Sequence, residues 1–173
     1  MNGNCHFVFG ATVGSMIALN MNHISNALPN ISNSPETATL FVLGGLIGGI
    51  FPDIDNPNSY MGHLSAPIST IIGKVNELLG KTGSNHRGIL HDPIIYIAGL
   101  ILSYFCFSPL VGFFIGCLSH IFLDMFNPKG VPFLVVYKIH LGKIKSGDSS
   151  SVIFTWICVA ITLAIGVTLK FIL

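Results

Sequence analysis

Residues 109–126 read PLVGFFIGCLSHIFLDMF. The run is 18 residues long and almost wholly apolar. A membrane span needs about 20 such residues, with a range near 17–25. Two residues break the pattern, His120 and Asp124. They stand four apart, so a helix stacks them one turn above the other on a single face. An ionised carboxylate in such a span is costly unless it is paired or coordinated. This stretch therefore predicts a membrane helix and marks a chemical site near its end.

Four further apolar segments flank it, at His6–Ile24, Ala38–Phe51, Pro93–Phe107 and Val152–Leu173. The first and last are long enough to cross a bilayer. The other two are short and would be completed by the polar residues at their ends. The whole chain supports this reading. Of 173 residues, 51% are apolar and 9% are charged, against about 25% charged in ordinary soluble domains. Mean hydropathy is +0.73. A soluble domain of this size exposes too much of its surface to hide that composition. The expected fold is all-α: a polytopic membrane bundle of about five spans, forming a single membrane-embedded domain over residues 1–173. The net charge of +1 provides no basic field, so no nucleic-acid partner is expected. Cys5, Cys106, Cys117 and Cys158 have no metal-ribbon or redox spacing and read as small buried hydrophobes. The opening MNGNCHFVFG lacks a basic n-region and a cleavage site, so the first apolar stretch is expected to remain in place.

The second segment carries Gly44, Gly45, Gly48 and Gly49, which predict close helix packing rather than a phosphate loop. Between the second and third segments lies a long connection, Asp53 to Asp92. Within it Ile68, Ile71, Ile72, Val75, Leu78 and Leu79 recur at helical spacing around Lys74, Glu77 and Lys81. That pattern predicts an amphipathic helix lying at the membrane interface. Residues 127–151 read as loop. With five spans and a cytoplasmic N-terminus, both long connections are cytoplasmic. They hold Lys74, Lys81, Arg87, Lys129, Lys138, Lys143 and Lys145, whereas the opposite side holds only Lys170. The positive-inside rule thus predicts N-in, C-out.

On that topology the ionisable residues gather at the cytoplasmic face. His6 opens the first span, and Asp53 and Asp55 close the second in GGIFPDIDNP. His86 and His91 lead into the third in NHRGILHDP, and His120 and Asp124 end the fourth. Neutral imidazoles and carboxylates are ordinary Zn²⁺ ligands, and carboxylates also suit Mn²⁺ or Mg²⁺. A divalent cation would supply the missing charge compensation. Pro52 breaks the second span just before Asp53 and aims the aspartates out of the helix. Arg87 is placed to pair with a substrate phosphate or with Asp55 or Asp92. Asp92 reads as the cap of the third span. His63 and His140 read as solvated loop residues. His23 falls at the far end of the first span, about 25 Å from His6 at 1.5 Å rise per residue.

With early His6, GGIFPDIDNPNS, NHRGILHDP and SHIFLDMFNPKGV in this order, residues 6 to 134 resemble the YdjM family of bacterial inner-membrane proteins, described as metal-dependent hydrolases. That family is distantly similar to zinc-dependent phospholipases C and single-strand nucleases, which are all-helical enzymes holding a cluster of metal ions. The resemblance implies that His6, Asp53 or Asp55, His91 or His86, and the His120/Asp124 pair are metal ligands, with Asp124 able to bridge two ions. The phospholipases carry a further downstream His-x-x-x-Glu pair. Here only His140 and Asp148 follow Asp124, at the wrong spacing, so one or two ions fit better than three.

The expected function is metal-dependent hydrolysis at the inner membrane, of a phosphoester that is a phospholipid or lipid-linked. The metal ligands would be His6, Asp53, His91, His120 and Asp124. Asp55 would orient or deprotonate the attacking water. Arg87 and His86 would stabilise charge developing on phosphate. The alternatives are a non-catalytic scaffold with a structural metal and an ion-handling transporter. Against transport, the polar groups gather at one face only.

Overall fold

The computed structural model describes residues 2–56, 59–78, 88–134 and 137–172. Among these, the helices are α1 Gly3–Leu19, α2 Met21–Ala27, α3 Pro35–Gly48, α4 Tyr60–Leu64, α5 Ala66–Leu78, α6 Pro93–Cys106, α7 Val111–Met125 and α8 Ser149–Ile172. Three 3₁₀ turns, Phe51–Asp55, Ile89–His91 and Ser108–Leu110, join them. The architecture is essentially all-α, as expected.

Local chemistry sets the helix ends. The Ser34 hydroxyl accepts a hydrogen bond from the Thr37 N–H, and Pro35 opens α3. The Asp92 carboxylate accepts from the Ile94 N–H, and Pro93 opens α6, so Asp92 is the expected cap. Pro52 has no N–H to continue the α3 ladder, and the chain tightens into the 51–55 turn that carries both aspartates.

The glycines of α3 face two neighbours at once. Gly45 and Gly49 lie against Gly10 and Gly14 of α1, while Gly44 and Gly48 lie against Gly112, Phe113 and Gly116 of α7. A Cβ added at Gly45 would sit 2.5 Å from the Gly10 carbonyl oxygen, and one at Gly116 would sit 2.5 Å from the Gly45 carbonyl oxygen. Backbone therefore meets backbone along both seams, with α3 held between α1 and α7. The predicted role of the glycine run is borne out.

The chain reverses from helix to helix. His6 and Asp124 meet at one end of the bundle, and Asn20 meets Gly166 at the other. α6 lies beside α7, with Tyr96 packed near Cys117 and Ile121, and Leu100 and Tyr104 near Val111. Measured by length and apolarity, three segments among the described residues can cross a bilayer: Pro35–Asp55, Ser108–Met125 and Ser149–Ile172. The bent pair α1 and α2 makes a fourth if counted as one span. Of the five apolar segments read from the sequence, three or four thus qualify by length among the described residues, and Pro93–Cys106 is a shorter apolar helix. α6 has only 14 residues, because Asp92 caps it and the chain leaves the helix at Phe107. The first segment is not straight either, since α1 and α2 meet at 71°.

Asn20 accounts for that bend. Its side-chain amide donates to the carbonyls of Met16 (2.9 Å) and Gly166 (3.0 Å), competing with the helix's own ladder while tying α1 to α8. Asn20→Ala is expected to cost about 1–3 kcal/mol, the range for losing one or two net hydrogen bonds at a buried site. A lower melting temperature by circular dichroism in detergent would register it, and an unchanged melt would refute it.

Two other differences are local. Residues 127–151, read as loop, contain an antiparallel hairpin pairing Val131–Phe133 (β1) with Tyr137–Ile139 (β2). Strands of three residues are too short to declare a period of two. Gly130 at φ 65° turns the chain into β1, a conformation in which an L side chain would be strained. Cys106 is exposed rather than buried, as are Ile101, Leu102 and Phe105 on the same helix.

The amphipathic helix is present as α5. Leu64 of α4 and Ile68, Ile71, Val75 and Leu78 of α5 form an exposed apolar stripe spaced 4, 3, 4 and 3 residues apart. Both α4 and α5 lie against the 51–55 turn. A soluble protein seldom leaves such a stripe open to water. A bilayer surface accepts it.

Candidate metal centre

The sequence brings six ionisable side chains toward one end of the bundle, and the packing of α1, α3 and α7 decides where they meet. His6 comes from the first turns of α1, Asp53 and Asp55 from the turn after α3, His91 from the turn before α6, and His120 and Asp124 from α7. His6, His91, His120 and Asp124 are buried, each at 1% exposure or less. The His6 and His120 rings stack with centroids 3.7 Å apart, and the His91 ring stands edge-on to His120 at 5.4 Å. Two imidazolium ions would repel at that stacking distance, so the arrangement suits neutral rings with lone pairs to offer.

The glycine seam sets one of these rings directly. Because α3 and α7 touch through backbone, the Gly49 carbonyl lies 2.8 Å from His120 Nδ1. A carbonyl can only accept, so Nδ1 carries the proton and Nε2 keeps a lone pair. That Nε2 has no hydrogen-bond partner among the described residues. It faces Asp53 Oδ1 at 3.7 Å and Asp124 Oδ2 at 3.9 Å. His6 Nε2 is 3.3 Å from Asp124 Oδ1. His91 Nε2 is 3.6 Å from Asp53 Oδ1 and 3.9 Å from Asp124 Oδ2.

These separations are a test of fit. Most are too long for good hydrogen bonds, which prefer about 2.7–3.2 Å. Two ligands each about 2.1 Å from a tetrahedral cation stand roughly 3.4 Å apart. The observed 3.3–3.9 Å is close to that spacing. Two groups of side chains could each hold a metal ion, His6/His120/Asp124 and Asp53/His91/His120, with all ligand atoms of a group within 4.8 Å of one another. The groups share His120, whose single free nitrogen can serve one ion. Asp124 turns Oδ1 to His6 and Oδ2 to His91 and His120. These residues would hold either one ion shared between the groups or two ions.

Burial disfavours the charged form of the His91 ring, but Asp53 and Asp55 beside it prevail and push its pKa up to about 9.

The predicted residues divide as follows. His6, Asp53, His91, His120 and Asp124 come together. Asp55 is also adjacent, but on the other edge of His91, its Oδ2 lying 3.6 Å from Nδ1. His63 and His140 are exposed and belong to neither group. His23 lies beyond the bend in α2, away from both. His86 and Arg87 lie outside the described residues, as do Leu79 and Lys81 of the amphipathic stretch. Sequence reasoning missed Gly49, which it read only as a packing residue. A carbonyl acting on a ring 71 positions away leaves no mark in composition or spacing.

A family model described as the YdjM inner membrane protein matches residues 1–172. The chain is 32% identical over 98 residues to the inner membrane protein YdjM of Escherichia coli (strain K12) and, to the same extent, to that of Shigella flexneri. The matched stretch covers 49% of this chain and 43% of each relative, so the chain aligns with less than half of either protein's length. No solved structure matches.

Proposed function

The chain belongs to the YdjM inner membrane protein family, and from that premise and the buried His/Asp centre we propose that it is a membrane-bound, metal-dependent hydrolase of phosphoesters carried on lipid. The observation that carries this reading is the convergence of three histidines and two aspartates from four segments at ligand-to-ligand spacing. His6, Asp53, His91, His120 and Asp124 would hold one or two divalent ions, with zinc favoured by the imidazole-rich set and manganese or magnesium as alternatives. When bound, such a cation supplies Lewis acidity toward a phosphoryl oxygen and lowers the pKa of water toward neutrality.

The protein's own groups do the rest. Asp53 is the one carboxylate of the centre with appreciable exposure, 17% of its side chain, and so marks the side from which substrate arrives. α4 and α5 flank the turn that bears it, and their apolar stripe would bring lipid to the same side. Arg87 and His86, which precede His91 in the sequence, would stabilise charge developing on phosphate. Lys74, Lys129, Lys138, Lys143 and Lys145 belong to the connections at the site's end of the bundle and Lys170 to the other end, which supports a cytoplasmic site in the inner membrane.

The purified protein, incubated with mixed phospholipid vesicles or a lipid-linked pyrophosphate, is expected to release phosphate or headgroup. Activity should disappear on chelation and return with Zn²⁺ or Mn²⁺. Metal-bound protein without chelator-sensitive turnover on a broad lipid panel would refute hydrolysis. That outcome would favour a structural metal, a reading that has one observation of its own: four of the five candidate ligands are almost wholly buried, whereas a catalytic site keeps a position open.

A further inference from the structure

Asp53 and Asp55 stand two residues apart in a 3₁₀ turn, where three residues complete a revolution, so their side chains leave the turn in different directions. The two carboxylates meet opposite edges of one ring. Asp53 Oδ1 lies 3.6 Å from His91 Nε2, and Asp55 Oδ2 lies 3.6 Å from His91 Nδ1. Only the Nε2 edge also faces Asp124, at 3.9 Å.

We infer that Asp55 is a positioning residue: it holds the His91 ring from behind, with Nε2 turned toward the ion, and does not itself take the proton of an attacking water. Its side chain is wholly buried, at 0% exposure, whereas that of Asp53 is not. A base must reach the water it deprotonates, and Asp55 has the His91 ring between it and the space the other ligands share. Its Oδ2 also accepts a hydrogen bond from the Gly88 N–H at 3.2 Å. One carboxylate thus ties the 51–55 turn to the segment that carries His91. His120 is built the same way, with Nδ1 held by the Gly49 carbonyl and Nε2 left inward. A back-side acceptor of this kind fixes the tautomer and raises the basicity of a ligating imidazole. The 3.6 Å gap at Asp55 needs to close by a few tenths of an ångström to become a hydrogen bond.

This inference rests on the metal reading above and is tested separately from it. The probe is Co²⁺, titrated into the full chain in detergent against a competing chelator and followed by visible absorption. Four proteins are compared: wild type, Asp55→Asn, His91→Ala and the double variant. Asp55→Asn is expected to weaken Co²⁺ binding about 10–100-fold, the usual effect of losing such a partner. It should weaken it no further once His91 is alanine. At saturating Co²⁺ the visible band of Asp55→Asn should also shift, because the His91 ring is no longer held at the same angle. Unchanged affinity and an unchanged band in Asp55→Asn, or equal weakening with and without His91, would overturn the positioning role and leave the metal reading intact. If Asp55→Asn does not elute as a single folded species, Asp55→Glu takes its place: it keeps the charge but displaces it, and its effect must likewise vanish without His91. Failure of the wild type to bind Co²⁺ at all would remove the metal reading and this inference together.

Discussion

Asp124→Ala and His120→Ala are each expected to strip the purified protein of its metal, from a stoichiometric amount in the wild type to none detectable by elemental analysis. Asp124 offers both oxygens, one at 3.3 Å from His6 Nε2 and the other at 3.9 Å from the Nε2 atoms of His91 and His120. Among the described residues, Asp124 is the one whose carboxylate lies within 4 Å of all three histidines. Removing it takes away the negative charge that makes a buried cation tolerable as well as a ligand. His120 is common to both candidate groups, so its loss breaks each of them. Losing a group that merely supports a ligand typically weakens binding about 10–100-fold, and losing the ligand should exceed that. Asp124→Asn keeps the shape and gives up only the charge, which makes it the control for folding. It should elute as the wild type does and carry no metal. Wild-type stoichiometry in Asp124→Ala and His120→Ala would move any metal elsewhere.

The second large effect comes from a single methyl group. Gly48→Ala is expected to destabilise the protein by more than about 3 kcal/mol, the upper end of ordinary overpacking. The new Cβ would collide with the Phe113 carbonyl oxygen and lie 2.8 Å from the Cys117 nitrogen and 3.0 Å from the Gly116 Cα. All three are backbone atoms, which cannot rotate aside as a side chain would. The α3–α7 seam must open, and the Gly49 carbonyl that holds His120 moves with it. Helices in a bilayer associate chiefly through close packing, so little else would compensate. Gly73→Ala is the matched comparison. A Cβ at Gly73 on α5 meets nothing within 4 Å, and the change should be neutral or stabilising by up to about 1 kcal/mol through helix propensity. Thermal melts of the two variants in the same detergent measure the contrast. Equal melting temperatures would refute the seam's role.

Much of this protein could be read without coordinates. Long apolar runs announce helices for a bilayer because no other backbone arrangement short of a closed barrel satisfies its own hydrogen bonds there. The i, i+4 placement of His120 and Asp124 set them on one helix face, and the paired glycines announced close packing. Asp92 was legible as a cap because capping is a local matter of one side chain and one turn. Span number was less legible. Hydropathy alone does not reveal that α6 stops at 14 residues or that Asn20 bends α1 from α2, since the second depends on a carbonyl 146 positions away.

Which residues carry ligand chemistry is thus a property of composition and spacing. Which atoms of them converge is not. The division of labour between Asp53 and Asp55, neighbours with identical side chains, follows from the direction each leaves a tight turn and from which edge of His91 it meets. The Nε2 lone pair of His120 depends on a glycine carbonyl brought near by two helices in backbone contact. Periodicity records the face a residue occupies on its own helix; distances between helices arise only when the seams close.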